Sequence, residues 1–121
     1  MLLFLFFLGT KYQALDGCST NPANLFKDGT PGYYLGTSEA AEIQCCSSDG
    51  SSCSRKKSSE CRSGNDDDKK FTWAEANQHC IADGKRLCRS QDEVNKCCNG
   101  GCNYDNQLVW SSIVEGMIRR C

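Results

Sequence analysis

Eleven cysteines in a chain of 121 residues constrain this sequence more than any other feature. A short chain this rich in cysteine reads as a disulfide scaffold. Leu, Ile, Val and Phe are sparse after residue 9, so the core is small for the length and cross-links replace the missing burial. Structural zinc would need ligands in closely spaced pairs, and no Cys-x-x-Cys occurs; the nearest approaches are Cys98 to Cys102 and the dipeptides Cys45-Cys46 and Cys97-Cys98. Neighbours in a dipeptide rarely aim at one ion, so the reading is disulfides in an oxidising compartment, and hence a secreted chain.

The dipeptides restrict the pairing without fixing it. In "AAEIQCC", Ala41, Ile43 and Cys45 alternate with Glu42, Gln44 and Cys46, the pattern of a half-buried strand. Cys45 and Cys46 therefore point to opposite faces and need different partners. Cys97 and Cys98 diverge in the same way around a helix, and Cys80 and Cys88 are well placed to receive two of these bonds. With Cys53, Cys61 and Cys102, these form the expected bonded set. Eleven is odd, so one thiol is left over; Cys18 and Cys121, at the ends, are expected to be spare or interchain.

Charge excludes several partners. The net charge of −1 gives no field to attract nucleic acid or an acidic membrane. "SSCSRKKSSECRSGNDDDKK", residues 51–70, has charge and serine but no aliphatic residue, and reads as a solvated charged loop over 54–70. The opening "MLLFLFFLGTKYQA" is too short an apolar run to span a bilayer. Residues 1–14 are read as a signal peptide or, if retained, an apolar N-terminal segment that docks on something; residues 15–121 are read as the stapled module.

Local signals place the elements. Thr72 with Glu75 forms a T-x-x-E capping box, so a helix begins at Trp73; Trp73, Ala76, Cys80 and Ile81 share a face and Gly84 ends it. Ser90 with Glu93 repeats the box and opens a shorter helix through Val94 to Cys97 or Cys98. "NQLVWSSIV" reads as a strand with Leu108, Trp110 and Ile113 inward. The expected fold class is α+β: a small disulfide-rich domain with two short helices packed on a small antiparallel sheet.

The stretch "FTWAEANQHCIADGKRLCRSQDEV" resembles the opening of C-type-lectin-like domains, at Trp73, Glu75, Ala76, Cys80, Gly84, Leu87, Ser90 and Glu93. "CCNGGCNYDNQLVWSSI" is similar to the Link module, a hyaluronan-binding relative of that fold. The pattern also resembles truncated, cysteine-rich modules of large secreted proteins of algae and invertebrates. The resemblance implies a C-type-lectin-like fold and an extracellular adhesion or matrix role. Calcium-dependent lectins carry Glu-Pro-Asn or Gln-Pro-Asp and then Trp-Asn-Asp, none of which is present here, so no calcium ligand carries over.

Candidate chemistry is weighed residue by residue. His79 precedes Cys80 on a helix, where neighbours point about 100° apart and cannot form a catalytic pair; it reads as exposed and idle. No G-x-S-x-G elbow occurs. Asn65, Asp66, Asp67 and Asp68 in "GNDDDKK", and Asp105 between Asn103 and Asn106, have calcium-type oxygens; Asp66, Asp68 and Asp105 are the best of them, but the EF-hand spacing is missing and no cofactor is expected. Trp73 and Trp110 read as core, leaving Tyr33, Tyr34 and Tyr104 as surface contacts for a ligand. The sequence thus points to a secreted structural, adhesion or binding module without catalysis, or to a small carbohydrate-binding protein. Its expected partners are extracellular proteins or glycans, with self-assembly through the apolar N-terminus or the odd cysteine.

Overall fold

The computed structural model describes residues 10–19, 33–64 and 70–115. Among these residues it shows a small α+β domain with two short helices, small antiparallel sheets and five disulfides. In chain order the elements are β1 (Lys11–Asp16), β2 (Tyr33–Leu35), β3 (Cys45–Cys46), β4 (Cys53–Ser54), β5 (Lys56–Lys57), β6 (Glu60–Cys61), α1 (Trp73–Ala82), β7 (Arg86–Leu87), α2 (Gln91–Val94), a 3-10 turn (Asn95–Cys97) and β8 (Leu108–Glu115). One sheet runs β2-β1-β8, a second runs β4-β3-β7, and β5 with β6 makes a separate hairpin.

The two sheets are joined through β8. Glu42 N–H donates to the Leu108 carbonyl at 2.9 Å and Trp110 N–H to the Glu42 carbonyl at 3.1 Å, while Ser112 N–H reaches the Cys88 carbonyl at 2.8 Å. The segment before β3 is therefore covered on both sides. Glu42 and Gln44, on the face expected to be the less buried one, are as buried as Ala41, Ile43 and Cys45, and so is Cys46. The alternation is real, but it separates two half-cores instead of core from water. Ala14, Ile43, Cys45, Cys80, Leu87 and Trp110 gather in one; Leu15, Cys46, Cys88, Val94, Tyr104 and Val109 gather in the other.

The boundary expected at 14/15 falls inside β1. Ala14 pairs with Trp110 and Tyr33, and Leu15 with Val109, so residues 11–14 belong to the middle strand of the first sheet. Only residues 1–9 of the expected apolar segment lie outside the described residues.

Helix α1 starts where its capping box requires. Thr72 Oγ1 accepts from Glu75 N–H at 3.3 Å, and Glu75 Oε1 accepts from Thr72 N–H at 2.9 Å. Gly84, at φ +70°, closes the other end. The Cys45–Cys80 bond fixes the rotation of the helix, so Ala76 and Cys80 face inward. Ile81, expected on the same face, is turned about 100° away from Cys80 and is 53% exposed. Trp73 stacks on Tyr12 with ring centroids 4.5 Å apart and donates its indole N–H to the Ser111 carbonyl at 2.8 Å. Trp110, fully buried, donates to the Phe71 carbonyl at 2.6 Å.

At α2 the second box closes only halfway. Ser90 Oγ accepts from Glu93 N–H at 3.2 Å, but the Glu93 carboxylate turns to Arg86, at 2.8 and 3.0 Å, and to Arg89 N–H. In β8, Ile113 was expected inward and is 37% exposed. The register slips between Tyr12 and Ala14, which pair with Val114 and Trp110, so β8 carries two extra residues and its inward face is lost past Trp110. The Ser111 hydroxyl fills this irregularity, donating to Gln13 Oε1 at 2.9 Å and accepting from Ile113 N–H at 3.1 Å.

The disulfides are Cys18–Cys98, Cys45–Cys80, Cys46–Cys88, Cys53–Cys97 and Cys61–Cys102. Each dipeptide serves two partners, and Cys80 and Cys88 take the two bonds from Cys45 and Cys46. Cys18 is not spare: the chain past β1 brings it to Cys98. Cys121 lies outside the described residues.

Candidate functional site

The charged stretch after β4 turns out to be partly interior. Arg55 and Arg62 are buried, although both were expected in a solvated loop. Arg55 sits two residues past Cys53 and Arg62 directly after Cys61, and both cysteines are bonded across the domain, which draws their neighbours in.

Arg55 uses its whole planar fork. Nε donates to Gln44 Oε1 at 2.7 Å, Nη2 to the Gly17 carbonyl at 3.0 Å, and Nη1 to the Gly101 carbonyl at 3.1 Å. Nη1 also lies 2.7 Å from the Asp105 carboxylate. The guanidinium stands 5.7 Å from the centre of the Tyr104 ring. Arg55 thus ties the end of β1 and the strand β4 to the loop between the 3-10 turn and β8.

That loop has an unusual backbone. Asn99, Gly101, Cys102 and Asn103 all have φ between 62° and 89°, the left-handed region. Asn tolerates this region and glycine favours it, but Cys102 does not, and its bond to Cys61 holds it there. A second bond, Cys18–Cys98, pins the loop's start. The loop's far end docks on Gly17, whose N–H donates to the Gln107 carbonyl at 2.8 Å. A Cβ on Gly17 would lie 1.8 Å from the Tyr104 carbonyl oxygen, so only glycine fits.

Tyr104, expected as a surface contact, is fully buried. Its hydroxyl donates to the Gly64 carbonyl at 2.6 Å, accepts from Ser63 N–H at 3.0 Å and lies 2.7 Å from Ser63 Oγ, which donates to Glu42 Oε1 at 2.7 Å. Burial pushes the phenol above its usual range. The neighbours of Tyr104 lie about forty residues back in the chain, and no local pattern marks them. Tyr33 and Tyr34 are exposed, at 48% and 42%, on the edge strand β2.

Between Arg55 and the loop lies an open cleft of about 470 Å³, lined by side chains that include Asn99, Asn103, Asp105 and Asn106. Neither exposed tyrosine lines it. Asp105 bonds Arg55 and accepts from Asn99 N–H at 3.2 Å. A calcium ion on Asp105 would therefore sit against a guanidinium. Asp66 and Asp68, with Asn65 and Asp67, lie outside the described residues.

A second arginine site lies below α1. Arg62 pairs with Asp83 at 2.9 Å and donates to His79 Nε2 at 3.1 Å, so His79, expected to be exposed and idle, is half-buried and held. Burial, then Arg62 and Lys57, depress its pKa, while Asp83 opposes them. The unfolded chain therefore binds a proton more readily than the folded one. His79 contributes stability that is complete above its ordinary value of about 6.5 and is lost as pH falls through its lower folded value. Urea midpoints are expected to drop between pH 7 and pH 5, and His79→Gln to flatten that drop; a variant with the parent's pH slope would refute the assignment. The carboxylate of Asp83, lowered mainly by its bond to Arg62, titrates in a more acidic window.

The sulfurs of Cys46, Cys53 and Cys88 lie within 4.8 Å of one another, with Cys88 Sγ 3.9 Å from Cys53 Sγ. All three are disulfide sulfurs, and the thiolate is the form that ligates metal. No helix among the described residues is long and apolar enough to cross a membrane. No family model, curated protein or solved structure matches this chain.

Proposed function

We propose that the chain is an extracellular structural or adhesion module that acts by surface contact on a rigid scaffold, without turnover. The supporting observation is the cross-linking: all ten cysteines among the described residues are paired, and the five bonds connect the chain just past β1, the second sheet, the β5-β6 hairpin, α1, the 3-10 turn and the polar loop. Many disulfides in a small domain suit an oxidising, extracellular setting. The groups with acid, base or nucleophile chemistry that come together are held in structural roles: His79 by Arg62, Asp105 by Arg55, Ser63 by Glu42 and Tyr104. A C-type-lectin-like relationship remains part of this proposal, on the residues from Trp73 to Glu93 that resemble that family.

Intact mass after alkylation of the native, unreduced protein tests it. At most one adduct, on Cys121, is expected; several adducts would defeat both the scaffold and the extracellular assignment. A ladder of reducible oligomers on non-reducing gels would add self-assembly through that cysteine. Carbohydrate binding is the second reading, favoured by the amide-lined cleft beside Arg55.

A further inference from the structure

We infer that the cleft over Arg55 is a cation-independent binding site for a neutral, polyhydroxylated ligand, the class to which uncharged glycan chains belong; this rests on the binding-module reading and gives it a site. Three exposed asparagines, Asn99, Asn103 and Asn106, line the cleft, and their side-chain amides carry no hydrogen bond to the described residues. Each amide both donates and accepts, which suits hydroxyls that do the same. A charged ligand finds less. The guanidinium of Arg55 is consumed by three acceptors and the Asp105 carboxylate, and that carboxylate by Arg55 and the Asn99 N–H. The floor is thus an internally neutralised pair.

The backbone that carries these amides is also held in advance. Two disulfides hold the loop, at its start through Cys98 and in its middle through Cys102, and three of its residues other than glycine hold left-handed backbones. Such conformations persist where the surroundings impose them and gather at binding sites. A loop held this way loses little freedom when a ligand arrives, which favours affinity for a weakly binding, hydroxyl-rich partner.

The test is a glycan array of neutral and acidic oligosaccharides, with and without EDTA, on the wild-type chain and on a triple variant, Asn99→Gly, Asn103→Gly and Asn106→Ala. Glycine keeps the left-handed backbone while deleting the amide. The wild type is expected to hold neutral oligosaccharides equally well in EDTA, and the variant to lose at least tenfold with its thermal midpoint and disulfide mass unchanged. If the triple variant misfolds, Asn106→Ala alone, at a position without a left-handed backbone, is expected to weaken binding severalfold. Undiminished binding by a folded variant would move the site elsewhere and leave the binding-module reading standing. Preference for acidic glycans, sensitivity to EDTA, or no binding of neutral glycans by the wild type would each overturn the assignment of the cleft. Failure of the underlying scaffold reading would instead appear as multiple alkylations of the native protein.

Discussion

Reduced and alkylated, the chain is expected to show no cooperative unfolding transition in urea or on heating, whereas the oxidised chain should unfold in one. The five bonds close loops of 35 to 80 residues. In the chain-entropy description each such loop destabilises the unfolded chain by about 4 kcal/mol when closed alone. The loops overlap, so the contributions do not add, yet even two or three of them match the roughly 5–15 kcal/mol that separates a typical folded domain from its unfolded chain. The two half-cores cannot replace them, since four of the seven buried members of the second, Cys46, Cys88, Cys102 and the hydrogen-bonded Tyr104, are themselves cysteines or a polar aromatic. Near-ultraviolet circular dichroism of buried Trp110 reports the outcome. A reduced chain that kept a sharp transition would show that packing alone holds the fold.

Replacing Arg55 by Met is the point substitution with the largest expected cost among the charged residues: about 3–5 kcal/mol, read as a shift in the urea midpoint at constant slope. Methionine fills similar space but donates nothing, leaving Gln44 Oε1 and the Gly17 and Gly101 carbonyls without their guanidinium donor. Arg55→Lys should recover little, because an ammonium cannot reproduce the planar fork that reaches three directions at once. Asp105→Asn should cost much less, since the Asp105 side chain is 36% exposed and water compensates it. Equal losses for Asp105→Asn and Arg55→Met would mean that the ion pair, and not the backbone acceptors, dominates the site.

The features readable from sequence were those set by near neighbours. Thr72 and Glu75 meet across one turn, so the start of α1 could be written down from four residues. The divergent bonding of Cys45 and Cys46 follows from strand geometry alone, as does that of Cys97 and Cys98 from the turn that carries them. Burial was misjudged where distant segments decide it. Glu42 and Gln44 alternate like solvent-facing residues, but β8 and the loop after β4 cover them. Arg55 lies in a run of serine and charge, and its acceptors come from Gly17, Gln44 and Gly101, which no short window contains. The cleft escaped for the same reason: Asn103 and Asn106 read only as calcium-type oxygens beside Asp105, and the arginine opposite them comes from far back in the chain.

The close approach of Cys88 Sγ to Cys53 Sγ, 3.9 Å apart though bonded to different partners, bears on how this chain first acquires its fold. Thiol–disulfide exchange needs a thiolate within reach of a disulfide sulfur. If the other pairs form first, a late Cys53 thiolate faces the Cys46–Cys88 bond almost as directly as it faces Cys97, so a scrambled isomer is one sulfur transfer away. The native arrangement is then selected by what surrounds it, the 3-10 turn that delivers Cys97 and the β3-β7 pairing that delivers Cys88. The yield of correctly paired chain on oxidative refolding is accordingly expected to rise when a thiol buffer lets such an isomer exchange back.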